Sequence, residues 1–503
     1  MYPLALTALN AGSVMFALFA LSTAAAHYLK LSDWKALAAG MVGLGVAGYA
    51  YFWVMFFDTG IAPWVQMIFF GACIILALFA VLRRSASDMA LIVPCLGVFA
   101  GAVGLMGWSV LLAGPDDSVA NIFWFAGSRW TSPLPGDNEI PFHFGLQLRE
   151  AQITSPMYVD WLSSDRPPLQ TGMYLLLNLG RESREAYQGS STALQMLSMG
   201  GIWVLARAMG TSRLWSILSM TALWFTPLVF VNGLFVWPKL LAAAFVAIAA
   251  AIHFATPRNE RRSVVDGLIA GGAAALAMLS HGATAFALVG FAVAALVTLR
   301  LASWRYLAAA VAAVVALYAP WQAYQNLYDP PGNRLMKWHV AGAEAIDDRS
   351  MTEALVDSYS KLTPATWAKG RMDNIDRIMN PQLWAVQDFA AGRLNATKFR
   401  DQMFYSVPLG IGLFALALWG LPGFAISGAT RALSIATIGA LLGWAVLLFG
   451  AGQAVTHQGS YFPQIAVIAM SARLFSGNAI LSKIGFVLFG AHVLLIGFIH
   501  ALA

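Results

Sequence analysis

Residues 90–113 read ALIVPCLGVFAGAVGLMGWSVLLA, 24 positions without a charge, and they run into Gly114-Pro115-Asp116-Asp117. A helix crossing roughly 30 Å of hydrocarbon needs about 20 apolar residues, so this stretch predicts a membrane span that leaves the bilayer at a turn. The pattern repeats along the chain. Candidate spans fall at 4–26, 36–57, 64–82, 90–113, 190–209, 213–231, 238–256, 264–280, 282–300, 304–322, 406–425, 432–450, 460–473 and 484–502, about fourteen in all. The 503 residues are 59% hydrophobic and only 11% charged, with mean hydropathy +0.68, whereas a soluble chain carries about 25% charged residues. Disorder, a coiled coil and a cytosolic enzyme are thereby excluded. The expected fold class is an all-α polytopic membrane protein whose first partner is the lipid bilayer.

Two segments, 114–189 and 323–405, are too polar to lie in hydrocarbon, and 19 of the 24 acidic residues fall in them. A carboxylate at mid-membrane depth costs several kcal/mol, so charged chemistry belongs to these two loops. Alternate short loops hold Lys30 and Lys35, Arg83 and Arg84, Arg207 and Arg213, Arg258, Arg261 and Arg262, Arg300 and Arg305, Arg431, then Arg473 and Lys483; the intervening ones hold only Lys239. Basic residues accumulate on the cytoplasmic side, which puts both long loops outside. The net charge of +6 is thus explained by orientation, and without a basic patch no nucleic-acid partner is implied. Cys73 and Cys95 both lie in apolar runs and offer neither a disulfide framework nor a metal site. The N-terminal stretch MYPLALTALN lacks a basic start and is expected to be a retained first span. Residues 1–89 read as an added three-span module and 90–322 as the core bundle carrying the first loop. Residues 323–405 read as a second, helical loop and 406–503 as C-terminal membrane helices.

The first loop contains Gly136-Asp137-Asn138-Glu139-Ile140-Pro141-Phe142 and, further on, Ser164-Asp165-Arg166-Pro167-Pro168-Leu169-Gln170. Between them, Phe144 to Arg149 has the spacing of a short interface helix, while Leu169 to Leu179 is apolar but too short to span and is expected to dip into the outer leaflet. Asp137 and Glu139 beside a later arginine suit sugar transfer from a lipid phosphate. A carboxylate takes the proton of an attacking hydroxyl, and a guanidinium holds the departing phosphate. A turn and a loop-bracing ion pair account for the same residue types. Other candidates on this face are Asp165, Lys239 in Trp237-Pro238-Lys239, His281 in Ser280-His281-Gly282, and His457 and Tyr461 in Thr456-His457-Gln458-Gly459-Ser460-Tyr461. The second loop adds Arg334, Lys337 and His339, expected to meet a phosphate or an acidic sugar.

An early carboxylate in the first external loop, a short interface helix and a basic residue just before Pro-Pro-Leu resemble the GT-C membrane glycosyltransferases, in particular the protein O-mannosyltransferase and aminoarabinose-transferase branch. The resemblance implies a GT-C-like helical bundle with two large extracytoplasmic loops; the absence of a disulfide framework and the Ala-rich composition point to the inner membrane of a bacterium. It implies a polyprenyl-phosphate-linked sugar as donor and an extracytoplasmic glycan or lipid as acceptor. It places the catalytic base on Asp137, or on Glu139 in a shifted register, and the donor phosphate on Arg166. Arg166 stands where lysine is common, and the first three spans are additional. Asp116 and Asp117, at the exit of the fourth span, are alternative bases.

Asp137-Asn138-Glu139 also has the form of a DxD metal motif, and two carboxylates with a phosphate can hold Mg²⁺ or Mn²⁺. Arg166 and Lys239 supply the same neutralisation, so no cofactor is expected. No phosphate-cradling glycine loop is present. A transporter or flippase would instead show charges at mid-membrane depth or an inverted repeat. A glycan polymerase or ligase would rely on a cluster such as Arg334, Lys337, His339 and Arg371.

Overall fold

The computed structural model describes residues 2–83, 85–113, 136–181, 183–255, 262–298, 303–346, 348–393, 427–450 and 461–502. Among these the chain is helical, with one isolated antiparallel bridge, Tyr158 to Trp161, and no strand. Helices are what an apolar chain must form in lipid, because each satisfies its own backbone hydrogen bonds. α1 (Tyr2–Tyr28), α2 (Asp33–Phe57), α3 (Ala62–Arg83) and α4 (Ala86–Ala113) run along the first four apolar stretches. Six helices among the described residues are long and apolar enough to cross a membrane. Shorter apolar helices account for further expected spans, and the stretch 406–425 lies outside the described residues.

The expected boundaries shift where local chemistry intervenes. In place of a single span at 190–209, two consecutive helices cover 184–208. α5 (Ile140–Arg149) and α6 (Leu169–Leu177) come from the first loop; α7 (Arg184–Gln195) starts where Ser183 caps the amide of Ala186, and α8 (Leu197–Ala208) follows it. α9 (Arg213–Trp224) and α10 (Pro227–Phe235) form a pair bent by 67°, at a proline that cannot continue the preceding hydrogen-bond ladder. α11 (Lys239–Ala250) is buried at all twelve positions and ends in a π turn over Ala251–Ala255. α12 (Val264–Ser280), α13 (Thr284–Val297) and α14 (Trp304–Leu327) follow, α12 opening on a reciprocal cap between Ser263 and Asp266. α18 (Gly428–Leu447), α19 (Phe462–Phe475) and α20 (Ala479–Leu502) close the bundle, after α15–α17 of the second loop.

α1 packs on α4 and α7, and α2 on α6 and α8, so the first 89 residues share one apolar core with the rest. α6 does not dip into lipid: all nine residues are buried inside the protein. Gly172 is the reason. A Cβ there would lie 2.2 Å from the carbonyl oxygen of Gly48, and facing small residues let two helix backbones touch. In the second loop, α15 (Arg334–Ala341), α16 (Met351–Ser360) and α17 (Pro364–Ala390) lie over one end of the bundle. Arg371 donates to the carbonyls of Val446 and Phe449 at 2.8 and 2.6 Å, and Asn374 to those of Ala445 and Leu448 at 2.8 and 2.7 Å. These are the carbonyls a helix end leaves without partners, so Arg371 is committed to holding α17 on α18. At the far end, Lys35 pairs with Asp266 at 2.8 Å and Arg207 with Asp33 at 3.5 Å.

Gly172→Leu should force α6 from α2 and destabilise the protein by about 2 kcal/mol or more, as overpacking does. Gly180→Ala, at a site with open space, should cost less in the same thermal-denaturation measurement in detergent, although its φ of +76° disfavours a side chain.

Candidate functional site

A 3-10 turn, Gly136–Glu139, leads into α5, and Pro141 in the first turn of α5 needs no hydrogen-bond partner for its nitrogen. The turn buries Asp137 and leaves Glu139 at the rim. The Asp137 carboxylate is engaged on both oxygens. The indole Nε1–H of Trp237 donates to Oδ1 at 2.6 Å, and Arg166 forms an ion pair with Oδ2. Residues from two distant stretches therefore converge on one buried acid.

Arg166 is 5% exposed and stands 5.2 Å from the Trp161 ring. Burial pushes its guanidinium down to about 10, opposed by the Tyr187 phenol, which leaves it a cation at neutral pH. Its Nε is buried and has no hydrogen-bond partner among the described residues. A buried donor left unsatisfied costs roughly 1–3 kcal/mol, so an anion reaching Arg166 would gain that bond. Lys239, the first residue of α11, lies 3.4 Å from the centre of the Trp237 ring and 5.8 Å from that of Tyr461. Trp237 thus donates at its edge to Asp137 and carries a cation on its face. Burial, then the charges of Lys239 and Arg166, hold His281 well below the ordinary imidazole range. His339 is lowered to about 4, by burial first and by Arg166 and Lys239, against a raising hydrogen bond to the Leu335 carbonyl. Both rings are neutral at pH 7 and both feel the same two cations. Asp137, Arg166, Lys239, Tyr461, His281 and His339 thus form one electrostatic neighbourhood.

Other sequence candidates go elsewhere. Arg334 binds Asp160 at 2.6 Å and Asp165 at 3.1 Å, and Asp165 also accepts from the Leu162 amide at 2.9 Å. Nearby, Asp329 accepts from the Ser163 hydroxyl at 2.5 Å and the Ser164 amide at 2.9 Å. These bonds pin the second loop to the segment that carries Arg166. Glu139 faces Arg184 and His143, not Arg166. Partial burial raises its carboxyl, and hydrogen bonds from His143 and Arg184 outweigh that and hold it below the usual range. Lys337 is buried in α15. His457, Asp116 and Asp117 lie outside the described residues.

The two carboxylates of the DxD-like triplet answer to different arginines, Asp137 to Arg166 and Glu139 to Arg184. Among the described residues no three His, Cys, Asp or Glu side chains gather as a metal-ligand group. Sequence reasoning singled out the Trp237-Pro238-Lys239 turn through its isolated lysine, but missed Trp237 as a partner of Asp137. A tryptophan's hydrogen bond carries no sequence pattern; only proximity reveals it.

Two crystal structures of ArnT from Cupriavidus metallidurans are similar to the chain. The form bound to undecaprenyl phosphate is 16% identical over 78% of each chain, with a TM-score of 0.35. The apo form is 14% identical over 74% of this chain and 78% of that one, with a TM-score of 0.32. No family model and no curated protein matches. The functional reading therefore rests on the side-chain geometry.

Burial pushes the Asp165 carboxyl up to about 6, outweighing the Leu162 amide and Arg334. Between about pH 4 and 6 the folded state then holds a proton that the unfolded state has lost, so stability falls as pH rises through that window. Asp165→Asn should flatten the slope of melting temperature against pH from 4 to 6. An unchanged slope would remove Asp165 as its source.

Proposed function

We propose that this integral membrane protein is a glycosyltransferase that moves a sugar from a polyprenyl-phosphate donor to an extracytoplasmic acceptor, an envelope glycan or a glycolipid, in a bacterial inner membrane. The observation that carries the reading is the buried Asp137 carboxylate set against Arg166 and the edge of Trp237, with Lys239 over the face of that indole. The chemistry follows from those groups. The donor phosphate draws Arg166 away from Asp137, takes the Nε–H, and frees the carboxylate. The acceptor hydroxyl oxygen attacks the anomeric carbon while Asp137 takes its proton. The bond from the anomeric carbon to the phosphate oxygen breaks, and the electron pair leaves with the lipid phosphate. Arg166 and Lys239 stabilise that growing negative charge. A single displacement of this kind inverts the anomeric centre.

The location is supported by the distribution of charge. Arg166, Trp237, Lys239, His281 and Tyr461 sit at helix ends opposite those holding the Lys35–Asp266 and Arg207–Asp33 pairs, and basic loops mark the cytoplasmic side. His281, His339 and Tyr461 would line the donor site. Asp165 and Arg334 would act by fixing the loop that bears Arg166. Glu139, with Arg184 and His143, would face the acceptor at the rim, and Lys337 would add to the positive field beneath the second loop. His457 remains a donor-binding residue proposed on its sequence position alone.

Cells lacking the protein and complemented with Asp137→Asn should place the variant in the membrane yet accumulate a polyprenyl-phosphate sugar and lose one envelope decoration by mass spectrometry. Transfer should fall by about 10²–10⁴-fold, the usual worth of a general base. A wild-type glycan profile in that strain would refute the assignment. A second prediction concerns metals: turnover by the purified protein should survive EDTA unchanged, and loss of activity restored by Mg²⁺ or Mn²⁺ would overturn the metal-independent reading.

A further inference from the structure

Gln170 follows Arg166 by four residues, at the start of α6, and has no role in the chemistry above. Its side chain is wholly buried. Both amide hydrogens are used: Nε2 donates to the phenol oxygen of Tyr187 at 3.0 Å and to the carbonyl of Val236 at 2.9 Å. The Tyr187 hydroxyl donates in turn to the carbonyl of Asn138 at 2.5 Å. Gln195 supports the amide from behind, giving Nε2–H to the Gln170 carbonyl oxygen at 3.2 Å and accepting the Leu241 amide at 3.1 Å. That amide belongs to the first turn of α11, where helices leave N–H groups without intrahelical partners.

The two ends of this chain of bonds fall on either side of the candidate base. Asn138 is the residue after Asp137, and Val236 the residue before Trp237, whose indole binds Asp137. Val236 has φ 52° and ψ 30°, a left-handed conformation in which a β-branched residue is an outlier. Such strain persists only where surrounding bonds over-determine the backbone, and the Gln170 amide supplies one of those bonds. Burying two glutamines in an apolar bundle is costly unless their hydrogen bonds are met. For packing alone, leucine or methionine would do.

We infer that Gln170 is a positioning residue. One buried amide, relayed by Tyr187 and braced by Gln195, fixes the distance between the Asp137 turn and the Trp237 turn and so orients the base. This inference rests on the transferase reading. Losing the relay should displace Asp137 from the attacking hydroxyl, and a misplacement of about 1 Å costs on the order of 10²-fold in rate. It should also weaken the indole bond to the charged carboxylate, which raises the proton affinity of the base. Donor binding through Arg166 and Lys239 should survive.

The test uses full-length wild type, Gln170→Met and the milder Tyr187→Phe, reconstituted with membrane extract from cells lacking the protein, in which the lipid-linked sugar accumulates beside its acceptor. The expected result is a kcat lowered about 10–100-fold in Gln170→Met and less in Tyr187→Phe. KM for the lipid-linked sugar should stay within about twofold in both, and the acidic limb of kcat should move to higher pH. If both variants match wild type in kcat and pH profile, or raise KM with kcat unchanged, the positioning role is wrong while the transferase reading stands. If wild type itself consumes no lipid-linked sugar, the transferase reading falls and the positioning role with it.

Discussion

The structure around the candidate site depends on burying the Asp137–Arg166 ion pair. Moving each ion out of water costs several kcal/mol even after relaxation, and breaking such a pair leaves an uncompensated charge. The surroundings meet that cost with specific partners. Trp237 donates to Asp137, Trp161 lies under Arg166, and Asn138 receives the Tyr187 hydroxyl. As a device for stability alone, the pair would be replaceable by apolar residues of the same volume. As a device for the proposed transfer, it would store a base and a phosphate ligand side by side, each neutralising the other until a substrate phosphate competes.

The two polar loops serve this pair in different ways. The first supplies Asp137 and Arg166. The second contributes Asp329, which binds the Ser163–Ser164 backbone and hydroxyl, and Arg334, which binds Asp160 and Asp165. Arg371 and Asn374 then fasten that second loop to the end of α18. The cationic side chains that look most like phosphate ligands in the second loop are therefore partly occupied in bracing. Arg166, just before α6, and Lys239, at the start of α11, are instead held by the bundle itself.

Much of the fold was legible in the sequence because hydrocarbon is a simple solvent. Runs such as 90–113 and 432–450 must become helices. The concentration of acids in 114–189 and 323–405 sets the expectation that these segments lie outside the bilayer. Where prediction failed, tertiary contact decided. Leu169 to Leu177 is apolar and short, which reads as a leaflet dip; opposite Gly48, Gly172 lets it become an interior helix. The stretch from Gln188 to Gln195 in α7 is polar, yet every residue of it is buried, where α1 and α6 pack against that helix.

The sequence by itself determined the membrane class and a short roster of acids and bases, and it set the expectation of sidedness and of two external loops. Those follow from transfer free energies, which are properties of single residues summed along a chain. Only the tertiary structure decided which acid meets which base. Asp137 pairs with Arg166, Glu139 with Arg184 and Asp165 with Arg334, and residue types alone cannot rank those pairings. The choice depends on where the left-handed turn at Val236, the glycine contact beneath α6 and the buried amide of Gln170 place each backbone, and hydrogen bonds reward only geometry that closes to within a few tenths of an ångström.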